Sequence, residues 1–180
     1  MDKHYFVGIP IPQDVAKQLA NTRKSWNLQS HKIYSSPEDM HITLFFIGPA
    51  SVERISALMD DLSRIRQSRF SLTVNGVETF GNPDTPRVVY AAVKDEPGLF
   101  ELHQKIIEAA RFNDMAGDHK SLVPHITLAK KWAGGKPFQT ELDVRPVSFE
   151  VPSFSVFEIQ PRLQPKYLPI CTINLEGESR

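Results

Sequence analysis

Cysteine is nearly missing: Cys171 stands alone in 180 residues, which excludes an internal disulfide and a cysteine-rich zinc site. An excess of either charge is missing too. Lys+Arg and Asp+Glu number 21 each, so bulk charge does not advertise nucleic acid or an anionic membrane as a partner. Any nucleic-acid contact must then be local. No apolar run approaches the ~18 residues of a membrane-spanning helix. The short apolar opening YFVGIPIP is interrupted by Pro10 and Pro12, and no small-residue cleavage site follows it. No low-complexity stretch or linker divides the chain. These absences leave a cytoplasmic enzyme or binding protein, either one domain or two small lobes sharing a core, with no membrane association expected. The 14 prolines are scattered between apolar segments and read as turn punctuation rather than disorder.

What is present alternates between strand and helix signals. Tyr5 to Ile11 reads as a strand. Val15, Leu19, Thr22 and Trp26 recur at helical spacing, and a strand follows at His41 to Ile47 after a polar loop from Tyr34 to Met40. Gly48-Pro49 should stop that strand. Ser51 can cap a second helix carrying Val52, Ile55, Leu58, Leu62 and Ile65. Phe70 to Phe80 reads as a strand with a bend at Gly76. GNPDTP is a turn, Arg87 to Val93 a strand, and Leu99, Leu102, Ile106 and Ala109 mark a third helix ending near Asn113. Strands are expected again at Val123 to Leu128, Val151 to Ile159 and Tyr167 to Leu175. Such an order argues for an α+β fold with largely antiparallel sheets.

One tetrapeptide occurs twice. HITL spans His41 to Leu44 and returns at His125 to Leu128. Both copies fall on expected strands after a polar loop, each behind a strand and a helix, so the halves read as a duplicated unit. Side chains at i and i+2 of a strand share a face. His41 and Thr43 therefore point one way while Ile42 and Leu44 anchor the core, and His125 with Thr127 repeats the arrangement. If a pseudo-twofold relates the halves, two imidazoles and two hydroxyls surround one ligand. One imidazole can act as base and the other, protonated, as acid, while the hydroxyls bind non-bridging phosphate oxygens. That set cleaves a phosphodiester without a metal. A half-buried structural His-Thr pair is the rival reading of either copy taken alone. A metal site is not expected, because no HExxH or histidine–carboxylate cluster accompanies them, and no cofactor is called for.

At these residues the chain resembles the 2H phosphoesterase superfamily, named for two HxTx motifs. The resemblance points to its RNA 2′,3′-cyclic phosphodiesterase branch, also called 2′-5′ RNA ligase. YFVGIPIP, EDMHITLFFIG, PRVVYAAV and LVPHITLAK carry it, over nearly the whole chain. The resemblance implies a bilobal fold over residues 1–180, two mainly antiparallel sheets with outer helices and the motifs lining a central cleft. It implies hydrolysis of RNA 2′,3′-cyclic phosphate ends to a 2′-phosphate, and in some members the joining of RNA ends through a 2′-5′ linkage. By motif position His41 is the proton donor and His125 the proton acceptor, with Thr43 and Thr127 binding phosphate. Lys130 stands where the family often has Arg. It keeps the charge and loses the planar bidentate fork.

Around the second motif, His119 to Thr140 holds Lys120, Lys130, Lys131 and Lys136 and no acidic residue, a local basic patch suited to steering an RNA end. Arg87, opening the middle strand, is a further substrate-binding candidate. Gly134-Gly135 reads as a plain turn. By strand parity Phe45 shares the His41 face and Phe46 the core, unless a bulge exchanges them. His4, His31, His103 and His119 lie outside the motifs and are taken as surface or core residues. The expected partner is an RNA or oligonucleotide end, and the protein is expected to be a monomer. The rival functions are a non-catalytic RNA-end or nucleotide-binding protein, and a 2H activity on 2′-5′ oligoadenylate or a cyclic nucleotide metabolite.

Overall fold

A computed structural model of the chain describes residues 2–115, 121–138 and 141–177. Along the chain run β1 (Lys3–Pro10), α1 (Gln13–Ser25), β2 (His31–Tyr34), a single 3₁₀ turn (Pro37–Asp39), β3 (His41–Ala50), α2 (Val52–Leu62), β4 (Phe70–Phe80), β5 (Val88–Val93), α3 (Pro97–Phe112), β6 (His125–Trp132), β7 (Val147–Val151), β8 (Ser153–Ile159) and β9 (Tyr167–Asn174). The strands form two sheets of order β3-β1-β8-β9 and β2-β6-β5-β4-β7. Every pairing between these strands is antiparallel. The α+β expectation is met.

The duplication is visible in the sheet order. Replacing β3, β1, β8 and β9 by β6, β5, β4 and β7 turns the first sheet into the second, with β2 as an extra edge strand. Each motif strand lies beside a central strand, β1 or β5, and β3 contacts β6 across the space between the sheets. Ile42 and Leu44 of one motif, and Ile126 and Leu128 of the other, are buried in a single hydrophobic cluster that joins both sheets and all three helices. At about 25 cal/mol per Å², burial of each such side chain stabilises the fold by roughly 1.5–3 kcal/mol. The aliphatic pair thus fixes the face on which each His and Thr emerges.

Local chemistry explains most boundaries. The Ser51 hydroxyl accepts the Arg54 N–H and caps α2. Pro97 opens α3 and Asn113 closes it. The β4–β5 register slips between Val74 and Val77, beside Gly76 at φ 88°, a bulge where the bend was expected.

Four expectations need correction. β3 runs through Gly48-Pro49 to Ala50, because Gly48 takes φ 77° and β3 is an edge strand, whose outer side needs no N–H from proline. The segment from Tyr34 onward is preceded by β2, four residues too short to show a period. The strand expected from Val151 begins instead at Ser153 as β8: Val151 is the last residue of β7, which pairs with β4 while β8 pairs with β1, and the chain crosses between sheets at Pro152. On α1 the buried polar position is Arg23, not Thr22. Arg23 is 7% exposed and donates to the Leu128 carbonyl at 3.2 Å, tying the helix to the second motif strand.

Candidate active site

Each motif histidine is held by its own strand entry. The His41 Nδ1–H donates to the Asp39 carbonyl at 2.7 Å, and the His125 Nδ1–H donates to the Val123 carbonyl at 2.7 Å. In both copies the acceptor is the carbonyl two residues upstream, so the same local contact sets the same tautomer twice. Nε2 is left as the exchanging nitrogen of each ring. His41 Nε2 accepts the Thr43 hydroxyl at 3.0 Å.

Aromatic walls repeat as well. Phe6 of β1 lies 4.6 Å from the His41 ring, and Phe157 of β8 lies 6.3 Å away. Their counterparts at His125 are Tyr90 of β5 at 5.3 Å and Phe80 of β4 at 4.9 Å. These contacts withdraw the imidazoles from water. Burial pushes the His41 pKa down to about 4. The Asp39 carbonyl opposes this shift, and the charges of His125 and Lys130 add to it. Burial also lowers His125, against the hydrogen bond to Val123.

His41, Thr43, Thr127, Lys130, Phe46 and Tyr167 are among the residues around a cavity of about 200 Å³. An adjoining cavity of about 470 Å³ is bounded by His125, Arg87, Phe80 and His103, and shares Thr43 and Phe46 with the first. All six candidate residues from the sequence therefore border one two-part cleft. Lys130 Nζ donates to the Tyr167 hydroxyl at 3.4 Å. Arg87 lies over the Phe80 ring, 6.0 Å from its centroid. Of the other lysines in the basic stretch, Lys131 is exposed and Lys136 borders a separate cavity with Trp26 and Trp132. Lys120 and His119 lie outside the described residues. Among the described residues, no group of three or more His, Cys, Asp or Glu side chains is placed to hold a metal ion.

The two phenylalanines are exchanged relative to simple parity. Val7 pairs with Phe45 and Gly8 with Thr43, so Leu44 is the extra residue of a bulge. Phe45 is buried at 5% exposure, while Phe46, 58% exposed, joins His41 and Thr43 in the cleft. The second motif repeats the bulge. Val89 pairs with Ala129 and Tyr90 with Thr127, so Leu128 is skipped, Ala129 is buried and Lys130 turns into the cleft. Phe46 and Lys130 thus occupy equivalent positions, five residues after each histidine. LFF and LAK following the two HIT segments hold the sequence signal for this pairing. His103 also departs from expectation by bordering the cleft, and Asp39 and Tyr167 lie outside both motifs.

A family model described as LigT-like phosphoesterase matches residues 9–90. The chain is 31% identical over 176 residues to a Bacillus subtilis protein named RNA 2′,3′-cyclic phosphodiesterase, covering 96% of each. It is 33% identical over 183 residues to a Geobacillus stearothermophilus protein of the same name; the match covers 97% of this chain and spans 58% of that relative's length. Among solved structures, Escherichia coli LigT complexed with 3′-AMP superposes with a TM-score of 0.86 at 22% identity, covering 98% of this chain and 100% of that one.

Proposed function

The chain belongs to the LigT-like phosphoesterase family, and from that premise we propose that it hydrolyses RNA 2′,3′-cyclic phosphate ends to 2′-phosphates without a metal. One observation carries the reading. Two imidazoles with the same tautomer, each followed two residues on by a threonine, emerge from equivalent strands into one cleft.

The cyclic phosphate sits between the Thr43 and Thr127 hydroxyls, which donate to its non-bridging oxygens. His125 Nε2 takes a proton from water as the water oxygen bonds to phosphorus. The P–O3′ bond breaks, and His41 Nε2–H protonates the departing O3′, leaving the phosphate on O2′. The second step's proton is the delicate one. In the free protein His41 is held neutral at pH 7, with Thr43 donating to Nε2. An entering phosphodiester anion favours the imidazolium, raises the His41 pKa and draws the Thr43 hydroxyl toward its own oxygens. The substrate thereby helps to charge the acid that cleaves it. With an RNA 5′-hydroxyl in place of water, the same step would form a P–O5′ bond as P–O3′ breaks, with His125 taking the 5′-hydroxyl proton and His41 protonating O3′, which leaves a 2′-5′ linkage.

Lys130 supplies positive charge to phosphate, Arg87 does so on the His125 side, and Phe46 offers a face for a base. No helix among the described residues is long and apolar enough to cross a membrane. We take the protein to act as a monomeric bilobal unit in the cytoplasm, since one chain supplies every group the reaction uses. A pure binding role would leave unexplained why both rings are set in the same tautomer. Incubation with a cyclic-phosphate-ended oligonucleotide in EDTA, with products separated as 2′- or 3′-phosphates, tests the assignment. Appearance of a 2′-phosphate is expected, and no product at all would favour binding alone.

A further inference from the structure

Asp39 is the buried acid of the cleft, 8% exposed, and its carboxylate is fully engaged. Oδ1 accepts the Lys166 N–H at 2.9 Å and the Tyr167 N–H at 3.3 Å, and Oδ2 accepts the Ser36 hydroxyl at 3.2 Å. Two of these partners are more than 120 residues away, on the last hairpin. The backbone carbonyl of the same residue holds His41 Nδ1. Tyr167, so anchored, sets its ring edge-on to His41 with centroids 4.9 Å apart and to Phe6 at 5.1 Å. Its hydroxyl receives Lys130 Nζ at the cavity that also contains Thr43 and Thr127.

A carboxylate buried this deep is tolerated only where hydrogen bonds hold it. Its three donors lie on two segments, the turn before the first motif and the start of β9. Asp39 therefore fastens β9 to the entry of β3, and Tyr167 passes that constraint to one residue from each motif strand, His41 of β3 and Lys130 of β6. We propose that Asp39 and Tyr167 are a positioning pair for the phosphodiesterase reaction. Asp39 fixes Tyr167, whose ring holds the His41 imidazole and whose hydroxyl aims the Lys130 ammonium at the phosphate. The inference rests on the function proposed above and adds two residues that neither motif contains.

The full chain and its variants test the pair. The readouts are turnover of a nucleoside 2′,3′-cyclic phosphate, binding of inorganic phosphate, and thermal unfolding. Tyr167→Phe keeps the ring and removes the hydroxyl; phosphate affinity should fall about 5-fold and KM rise in step, with kcat within about 2-fold of wild type. Asp39→Ala releases Tyr167 altogether and should also lower kcat about 10-fold through misplacement of His41. Asp39→Asn keeps one oxygen for the two N–H groups and should recover most of that kcat. Adding Tyr167→Ala to Asp39→Ala should cost little more than Tyr167→Ala alone, because the residues act in series.

Folded Asp39→Ala with wild-type kcat and KM overturns the proposal, as does a double variant whose losses multiply. If Asp39→Ala fails to fold, Tyr167→Phe decides, and unchanged phosphate affinity overturns it. A wild-type chain that binds phosphate but opens no cyclic phosphate overturns the proposed function instead. The pair then stands or falls on the phosphate-affinity pattern.

Discussion

In the proposed reaction two histidines with lowered pKa values move the protons, and each should be indispensable. His41→Ala and His125→Ala should each lower kcat at least ~10²-fold, because each removes one proton-transfer role. Steady-state turnover of a 2′,3′-cyclic nucleotide checks this, and the double variant should lose less than the product of the two losses. Acidity is the sharper probe. His41 is pushed down to about 4 in the free protein, and a bound phosphate anion favours its charged form. The limb of kcat against pH that reports His41 should therefore lie above the corresponding limb of kcat/KM. Folding carries the same signature with a definite sign. A histidine whose folded pKa is depressed gives stability that is present above about pH 6.5 and is lost as pH falls toward its folded value. Denaturant midpoints of wild type should drop between pH 6.5 and 4 more than those of His41→Asn. The histidines and threonines were legible in the sequence because HITL repeats and strand parity fixes their face. Asp39 and Tyr167 were not, since they act through a backbone carbonyl and a hairpin more than 120 residues away, contacts that leave no periodic trace.

At the scale of elements, the two equivalent bulges decide which side chains reach the cleft. Parity alone put Phe45 beside His41, and one extra residue at Leu44 reversed it. The two aromatic neighbours should then respond in opposite ways. Phe45→Ala should destabilise the fold by about 3–5 kcal/mol, the cost of emptying a buried aromatic site. Phe46→Ala should leave thermal stability nearly unchanged and raise KM for a nucleotide substrate about 10-fold, since a base stacked on an aromatic ring is held by about 1–3 kcal/mol. Gly8, opposite Thr43, tests the motif strand from behind. A Cβ there would meet the Ile42 carbonyl oxygen at 2.7 Å, so β3 itself must move. Gly8→Ala should cost about 1–3 kcal/mol in unfolding free energy and lower kcat as well. Comparing denaturant melts with kcat across the three variants separates packing from site geometry. The helices are legible in the sequence because α1, α2 and α3 have apolar faces closed by Pro12, Ser51, Pro97 and Asn113. β2 and the change of sheet at Pro152 leave no such signal, because four residues show no period and a change of sheet is a tertiary event.

Over the whole molecule net charge is zero, so attraction of an RNA end has to come from local charge. Lys130 and Arg87 flank it from the two cavities, while Lys131 and Lys136 do not border it. RNA binding should therefore depend only mildly on salt, with log K falling by about 0.7 per decade of salt for each phosphate contacted. Lys130→Ala should weaken binding of a cyclic-phosphate-ended oligonucleotide and flatten that slope, and titrations at several salt concentrations read both. The two-sheet plan was visible in the doubled motif, but its joining was not: β8 and β9 return to the first sheet after the chain has built the second. That return brings Tyr167 to His41 and completes a site to which both halves contribute. The most direct test is the fate of a cyclic-phosphate-ended oligonucleotide in EDTA with wild type, His41→Ala and His125→Ala side by side. Wild type should yield the 2′-phosphate in full and each variant at least ~10²-fold more slowly. A 3′-phosphate product, turnover abolished by EDTA and restored by a divalent metal, or a variant as fast as wild type would contradict the two-histidine account.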